Sequence, residues 1–290
     1  MDYYKKGDNI IIPKCKEFNP QHILECGQIF RFIKNGKEWT VFSGKNIAKI
    51  RENDKNYAIF STNTCYFANF FDLETDYAAI KSKLKADPIL AKCIPFGEGI
   101  RILKGDPFEI IISFVVSQNN NIKRIQKIIE RLCEAGEEIK FDGEVYHAFP
   151  SELNLAEKPF EFFASLGAGY RDKYLYKITR ELKDVDLNEK SQLSTKELRK
   201  WLISLSGVGP KVADCILLFG FGRMDVFPVD TWVEQVYNTL FFEGKKNREQ
   251  IALYFINRFG DLSGYAQQYL FYSARSFDVL KTKNIEVDKC

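Results

Sequence analysis

Residues 205–215 read LSGVGPKVADC, and this stretch decides the fold of the helical part of the chain. The segments TKELRKWLISL before it and KVADCILLFGF after it have helical spacing, so the sequence predicts a helix, a tight turn and a second helix. Gly207 and Gly209 permit backbone angles closed to other residues, and Pro210 suits the first turn of a helix. The N–H groups of the turn and the positive end of the second helix then face outward together, which predicts an anion site.

This pattern resembles a helix-hairpin-helix over about residues 196–221, a motif that grips the DNA backbone without reading bases. A glycine-rich turn that merely joins two packed helices is the simpler alternative, and a bare G-x-G would favour it. The full set of motif positions favours phosphate binding: Leu205, Gly207, Val208, Gly209, Lys211 and Ala213.

Lys211 lies in the first turn of the second predicted helix. The helix dipole opposes an ammonium charge there, and burial lowers the pKa of a lysine, so we expect the pKa of Lys211 to be lowered. A neutral lysine is a nucleophile that can form a Schiff base. A lysine that only neutralises phosphate is the alternative, and the motif by itself leaves both open.

Asp230, in VFPVDTWVEQV, follows Lys211 by nineteen positions at the entry to the next helix. Its simplest role is that of an N-cap. However, Thr231 and Glu234 fit a T-x-x-E capping box, which predicts that Asp230 need not be the cap. A carboxylate beside a nucleophilic lysine either steadies a cationic sugar or assists deprotonation, and the sequence does not choose between these roles.

The composition of the 290 residues is that of an ordinary globular protein, with 45% apolar and 28% charged residues and a net charge of +3. The seven cysteines are odd in number and form no C-x-x-C pair, which argues against a disulfide framework or a zinc site and for a reducing compartment. With two histidines, we expect no metal and no cofactor. Neither a secretory signal nor a run of ~20 apolar residues is present, so we expect no membrane association.

The first third of the chain has the pattern of strands, and the rest that of helices. In IFRFIKNGKEWTVFSG, Asn35-Gly36 predicts a hairpin with a type I′ turn, and RENDK separates the strands of a second hairpin. Residues 76–84 have helical spacing, and from about residue 100 the pattern is helical nearly throughout, with a seam near residues 88–105. The prediction is an α+β protein: an antiparallel β-sheet domain over residues 1–100 and an all-helical body over residues 101–290.

LSGVGPKVADC followed by FPVDTWV resembles the helix-hairpin-helix DNA glycosylases that have a Gly/Pro-rich loop and an aspartate. Four further stretches are similar to the eukaryotic-type 8-oxoguanine DNA glycosylase/AP lyase family, and they extend from about residue 20 to residue 277. They are ECGQIFRF, SQNNNIKRI, LGAGYRDKY and GYAQQYLFYSAR.

The resemblance implies a role for each matching residue. Lys211 is the nucleophile that attacks C1′ of the damaged nucleoside, and Asp230 is the catalytic aspartate. The base-binding residues implied are Gly27, whose carbonyl accepts the N7 proton of 8-oxoguanine, with Cys215, Pro228, Gln267 and Phe271. The resemblance also implies three groups of DNA-binding residues. Asn119 and Asn120 lie at the place in the base stack that the damaged base vacates, and Arg124, Tyr170 and Arg171 lie near the opposite cytosine. Gly207, Val208 and Gly209 contact the DNA backbone.

Several of these residues also have structural explanations. Gly27 could be explained by a strand bulge. Phe271 could be a residue of the hydrophobic core, and Cys215 could be an inert buried thiol. Gln267 suits the surface, although its position four residues before Phe271 puts both on one helical face. The sequence departs from the family at Trp232, where a phosphate-holding histidine is usual.

The resemblance implies a partner, double-stranded DNA that contains 8-oxoguanine opposite cytosine, and a monomer located inside the cell with the DNA (cytoplasm or nucleoid in a bacterium). Related glycosylases with a four-cysteine iron–sulfur loop do not fit, because only Cys290 follows Cys215. Two alternatives stay open: a non-catalytic protein that uses the hairpin as a clamp on duplex DNA, and a glycosylase of broader oxidised-purine specificity.

Overall fold

The structure, a computed structural model, describes residues 1–7 and 9–277. Cys290 therefore lies outside the described residues. The N-terminal part forms an antiparallel sheet of six strands in the order β1-β2-β6-β5-β4-β3. These strands are β1 Tyr4–Lys6, β2 Asn9–Pro13, β3 Phe32–Asn35, β4 Glu38–Ser43, β5 Asn46–Glu52 and β6 Asn56–Ser61.

Both predicted hairpins are present, but the first turn differs in detail from the prediction. Asn35 pairs with Glu38 as the last residue pair of β3 and β4, so the two-residue loop is Gly36 and Lys37. Of these two, Gly36 alone has a positive φ, +60°. The type I′ turn predicted at Asn35-Gly36 is thus wrong, because glycine at the first loop position favours a II′ turn instead.

Four short helices accompany the sheet, and the N-cap of α3 is Asp76, at the start of the predicted helical stretch. Helix α4 begins at Pro88, and the side chain of Asp87 is its N-cap. A short 3-10 turn, Ile94–Gly97, leads into the helical body. The four helices are α1 Pro20–Leu24, α2 Thr64–Phe70, α3 Tyr77–Leu84 and α4 Pro88–Cys93.

The helical body confirms the α+β class, and its helices are interrupted at the asparagine triplet, residues 119–121, and at residues 167–169. A π-helical turn, Tyr237–Phe241, follows α13. The helices of the body are α5 Pro107–Ser117, α6 Ile122–Cys133, α7 Glu152–Glu157, α8 Phe160–Ser165, α9 Arg171–Glu181, α10 Leu187–Lys190, α11 Thr195–Ser204, α12 Pro210–Phe219, α13 Thr231–Val236, α14 Arg248–Phe259 and α15 Ser263–Phe277.

A β-hairpin interrupts the body, which we expected to be all-helical. Its strands are β7 Glu138–Phe141 and β8 Glu144–His147. The turn between them is Asp142-Gly143, with φ of +53° and +80°, which are the paired positive values of a type I′ turn. This Asp-Gly signal was present in the sequence and was missed. The hairpin packs on the sheet, where Phe141 stacks on Phe60 at 4.9 Å between ring centroids.

The hydrophobic core is continuous from the sheet to the last helix. Ile10 of β2 and Tyr269 of α15 belong to the same cluster of buried side chains. At the seam, Arg101 is fully buried and its Nε donates to the Phe71 carbonyl at 2.9 Å. The domain boundary at residue 100 stays a prediction, because one core serves both parts.

The hairpin between α11 and α12 has the geometry that its glycines predict. Gly207 has a φ of +81°, and a Cβ placed on it would lie 2.7 Å from the ring of Tyr174. Gly209 is the N-cap of α12 and faces open space. The Nε2 of Gln118 donates to the Gly207 carbonyl at 2.8 Å, which links the hairpin to the asparagine turn after α5. Only glycine therefore fits at position 207.

We expect Gly207→Ala to lower the free energy of unfolding by about 2–4 kcal/mol, because it adds both a left-handed penalty and a clash. The matched variant Gly209→Ala has free space and a negative φ, so about 1 kcal/mol or less is expected from the weaker N-cap. Urea denaturation of both variants measures the difference. Equal losses of stability would show that Tyr174 does not constrain the turn.

Candidate active site

A small cavity of about 40 Å³ lies where the sheet module, α12 and α15 meet. Seven residues that the sequence predicted for catalysis or base binding line it: Gly27, Lys211, Cys215, Pro228, Asp230, Gln267 and Phe271. Four lining residues were not predicted: Cys26, Phe114, Phe219 and Gln268. The cavity has room for about three or four water molecules at ~10–15 Å³ each, and it is partly open to solvent.

Lys211 is the second residue of α12, one helical turn before Cys215. Its Nζ lies 5.6 Å from the centroid of the Phe114 ring. The pKa of Lys211 is raised above its ordinary value: burial lowers the pKa, and the neighbouring Cys215 and Asp230 outweigh that effect. The expected lowering of this pKa is thus wrong for the free protein, because the sequence did not show that Cys215 and Asp230 would together outweigh burial.

Cys215 forms part of the cavity wall from the same helix. Burial raises the pKa of its thiol to about 11, and the charge of Lys211 lowers it only in part. The group is therefore a neutral thiol at pH 7, a small polarisable surface against which a planar base can pack.

Asp230 both lines the cavity and caps α13. Its Oδ1 accepts from the N–H of Val233 at 3.0 Å, so the prediction that Thr231 and Glu234 would relieve it of capping is wrong. The Glu234 carboxylate instead accepts from Arg248 at 2.9 Å. The cap fixes the Asp230 carboxylate at the cavity, where it also contributes to the raised pKa of Lys211.

Gln267 and Phe271 point into the cavity from one face of α15, as their spacing predicted. Gln267 is buried, and its Nε2 donates to the Pro228 carbonyl at 3.2 Å. The Nε2 of Gln268 donates to the Gln267 Oε1 at 2.9 Å. The amide of Gln267 is thereby held from both ends, which sets the direction of its hydrogen-bonding groups.

Gly27 lies in a turn between α1 and β3, not in a strand bulge, and its φ is +84°. The buried side chain of Gln28 anchors this turn: Nε2 donates to the Ile23 and Arg101 carbonyls, and Oε1 accepts from the Leu103 N–H. A Cβ on Gly27 would lie 3.6 Å from the Phe271 ring. The turn and the aromatic ring thus form facing walls of the cavity.

The asparagine turn between α5 and α6 is outside the cavity. Asn119 is exposed and has a left-handed φ of +44°. The Nδ2 of Asn120 donates to the Val116 carbonyl at 3.2 Å, and Asn121 caps α6. The left-handed residue therefore projects from a turn that its neighbours hold in place.

Arg124 and Tyr170 are exposed, whereas Arg171 is buried. The Nη2 of Arg124 donates to the Gly167 carbonyl at 3.0 Å. The Arg171 guanidinium donates to the backbone carbonyls of Gln118, Ala168 and Asn119. In this structure Arg171 braces the asparagine turn, and it must exchange some of these bonds before it can contact a base.

Trp232, which replaces the usual histidine, lies in the first turn of α13 and is 36% exposed. Arg248, the partner of Glu234, is the nearby cation that lowers the pKa of Lys211.

A larger cavity, about 580 Å³, lies between β3, β8 and the face of α6 that contains Lys123 and Lys127. None of the residues predicted for catalysis lines it. The smaller cavity is therefore the candidate site, because of the residues that line it and despite its smaller volume. Among the described residues, no group of three or more metal-binding side chains is arranged to hold an ion. No helix within the described ranges has the length and apolar character needed to cross a bilayer.

Replacement of Asp230 by asparagine tests the electrostatic part of this geometry. Asparagine keeps the N-cap but removes the negative charge that favours the Lys211 ammonium, so the pKa of Lys211 should fall. We expect Asp186→Asn, an equivalent change at the N-cap of α10, to leave that pKa unchanged. NMR titration of isotope-labelled lysine side chains reports both variants. An unchanged pKa of Lys211 in Asp230→Asn would show that the Asp230 carboxylate does not influence the charge of the Lys211 amine.

The two parts of the chain match two known protein families. Residues 10–111 match the family model described as 8-oxoguanine DNA glycosylase, N-terminal domain, and residues 112–258 match that of the HhH-GPD superfamily of base excision DNA repair proteins. A probable N-glycosylase/DNA lyase of Methanothermobacter thermautotrophicus is 34% identical over 72% of this chain and 73% of its own length. The N-glycosylase/DNA lyase of Saccharomyces cerevisiae is 28% identical over 86% of this chain and 81% of its own.

A solved structure of similar fold is that of Clostridium acetobutylicum 8-oxoguanine glycosylase/lyase in complex with double-stranded DNA that contains cytosine opposite 8-oxoguanine. The TM-score is 0.89 at 36% identity, and the match covers 96% of this chain and 99% of that one.

Proposed function

We propose a mechanism from the premise that this chain belongs to the 8-oxoguanine DNA glycosylase family within the HhH-GPD superfamily of base excision DNA repair proteins. It is a bifunctional DNA repair enzyme, a DNA N-glycosylase with lyase activity. The observation that supports the proposal best is the cavity itself, where an amine, a carboxylate, a thiol, an amide and an aromatic ring converge from distant parts of the chain. A protein that only clamps duplex DNA has no use for such a cavity.

The substrate that we propose is double-stranded DNA with 8-oxoguanine opposite cytosine. The hairpin of Gly207, Val208 and Gly209 holds a backbone phosphate at the N-terminus of α12. The damaged nucleotide leaves the duplex, at a cost of a few kcal/mol, and Asn119 occupies the space that it vacates. Exposed Arg124 and Tyr170, with Arg171 once it is released, contact the opposite cytosine. One chain supplies every residue of the site, which supports a monomer that acts on the DNA inside the cell.

Recognition of the base depends on the Gly27 carbonyl. The N7 of 8-oxoguanine carries a proton that this carbonyl accepts, whereas guanine presents a lone pair there. An unpaired buried acceptor costs ~1–3 kcal/mol, so the contact discriminates by roughly tenfold to hundredfold, and the extrusion path supplies the rest. Gln267, with its amide held by the Pro228 carbonyl, binds the pairing edge, while Phe271 and Cys215 cover the two faces.

The chemistry begins with loss of a proton from Lys211, because its raised pKa makes it an ammonium in the free protein. DNA that covers the cavity removes water from the Lys211–Asp230 pair, and a dry environment favours the neutral amine and acid over the two charges. Asp230 therefore takes the proton. The free Nζ then forms a bond to C1′ as the bond from C1′ to the base breaks, and the departing base takes the proton from the Asp230 acid.

The second half of the reaction opens the sugar and cleaves the strand. A proton moves from Nζ of Lys211 to O4′ as the C1′–O4′ bond breaks, which leaves a protonated imine between C1′ and Nζ. Loss of a proton from C2′ to the Asp230 carboxylate then expels the 3′ phosphate by β-elimination, and water hydrolyses the imine to regenerate the lysine. Each step uses the protein's own side chains and water.

Lys211→Gln should lower the rate of 8-oxoguanine release by roughly 1,000-fold or more, as expected for loss of a covalent nucleophile. The control Lys83→Gln makes the same charge change at an exposed position of α3 and should leave the rate unaltered. Single-turnover release from duplexes with each of the four opposite bases is the assay. The unsubstituted enzyme should act fastest opposite cytosine. Substantial release by Lys211→Gln would refute the assignment, and equal rates on all four duplexes would refute the role of Arg124.

A further inference from the structure

Arg275 lies one helical turn after Phe271 on α15, next to two of the residues that line the cavity, Phe271 and Gly27. Its guanidinium carbon is 5.3 Å from the centroid of the Phe271 ring. Its Nη2 donates to the backbone carbonyl of Glu25. Its Nη1 lies 3.2 Å from the point that a Cβ on Gly27 would occupy. One side chain thus contacts both the aromatic wall and the glycine wall of the cavity.

These two walls come from opposite ends of the chain, since the Arg275–Glu25 bond spans 250 positions of sequence. The glycine wall is a short turn at residues 25–28, and its positive φ at Gly27 is held by its surroundings. Gln28 anchors the inner side of this turn to the Arg101 and Leu103 backbone. On the side of the turn that faces α15, the hydrogen bond from Arg275 to the Glu25 carbonyl joins the turn to that helix.

We propose that Arg275 is a positioning residue for base recognition: it holds the Gly27 turn at a set distance and direction from α15. The direction of the Gly27 carbonyl follows from the orientation of the turn, and so does its alignment with the N7 proton of the base. This inference rests on the proposed function, which it deepens by adding a residue that acts through Gly27 and Phe271.

The chemistry of arginine suits this task better than that of lysine. The planar guanidinium can lie against a ring while its edge donates to a carbonyl, whereas an ammonium is a point charge on a flexible stem. The bond to the Glu25 carbonyl does not involve the Phe271 ring. The Gly27 turn is therefore held independently of the position of that ring.

The test compares two reactions of the same lysine. Release of 8-oxoguanine needs the base pocket, whereas incision of a duplex with a preformed abasic site needs Lys211 and the DNA-binding surface but no base. We expect Arg275→Ala to lower single-turnover base release by about tenfold or more and to change abasic-site incision by no more than about twofold. Arg275→Lys keeps a cationic donor without the planar guanidinium. Its rate of base release should lie between those of the unsubstituted enzyme and Arg275→Ala.

Arg180 provides a matched control. It lies one turn after Tyr176 on α9, with its guanidinium carbon 3.6 Å from that ring, and its Nη2 donates to the Lys158 carbonyl at 2.6 Å. Arg180→Ala removes the same kind of contact away from the cavity, so both reactions should keep their rates.

The outcomes separate the possibilities. An equal fall of both reactions in Arg275→Ala would overturn the proposal, because it would indicate a DNA-backbone contact or a damaged fold. Unchanged rates in both would overturn it as well. If the unsubstituted enzyme incised abasic sites but released no 8-oxoguanine, the proposed function itself would fail, independently of any Arg275 variant.

Discussion

The placement of Lys211 and Asp230 in one small cavity is the constraint on which the site depends. The start of α12 is an unfavourable place for a cation, because both the helix dipole and burial oppose the charge. The pKa of Lys211 is nevertheless raised, because the neighbouring Cys215 and Asp230 outweigh the effect of burial. In the proposed mechanism, the free enzyme therefore holds its nucleophile as an ammonium, and the neutral amine forms when DNA removes water from the pair.

This arrangement requires both flanking elements to be placed accurately. The glycine hairpin sets the start of α12 and so the position of Lys211, while the N-cap bond from Val233 to Asp230 sets the carboxylate. We propose that the N–H groups of the same hairpin bind a phosphate. The proposed phosphate site and the proposed nucleophile would then depend on a single turn, whose glycine at position 207 lies against Tyr174.

The N-terminal part of the chain completes the cavity by supplying the Gly27 turn, the wall that we propose recognises the lesion. Gln28 and Arg275 attach this turn to the seam and to α15, so the pocket is formed by both ends of the chain. The continuous core between the sheet and the helices explains how such distant segments keep a fixed separation. In the proposed mechanism, specificity therefore depends on both ends of the chain, whereas the proposed nucleophile belongs to one helix–turn–helix unit.

Local patterns predicted much of this fold, and long-range contacts account for the rest. Glycine and proline spacing predicted the α11–α12 hairpin, and the helical repeat predicted that Gln267 and Phe271 share a face. Asp142-Gly143 had a clear turn signal, but the helical pattern around it obscured a hairpin. The N-cap role of Asp230 was not predicted, because Thr231 and Glu234 fit the pattern of a capping box in the sequence.

The pKa of Lys211 and the burial of Arg171 depend on contacts made in three dimensions, which a single sequence does not show. The same is true of Arg275, whose partner Glu25 is 250 residues away. The roles that the resemblance assigned to individual residues remain proposals, although seven of them meet in one cavity.

The most direct measurement of the central claim is borohydride reduction of the enzyme on a duplex that contains 8-oxoguanine, followed by mass-spectrometric mapping of the modified peptide. Borohydride converts an imine into a stable amine, so the covalent link between protein and sugar is preserved. The account predicts a single adduct on the side chain of Lys211. An adduct on another amine, or efficient base release without any trapped adduct, would contradict it.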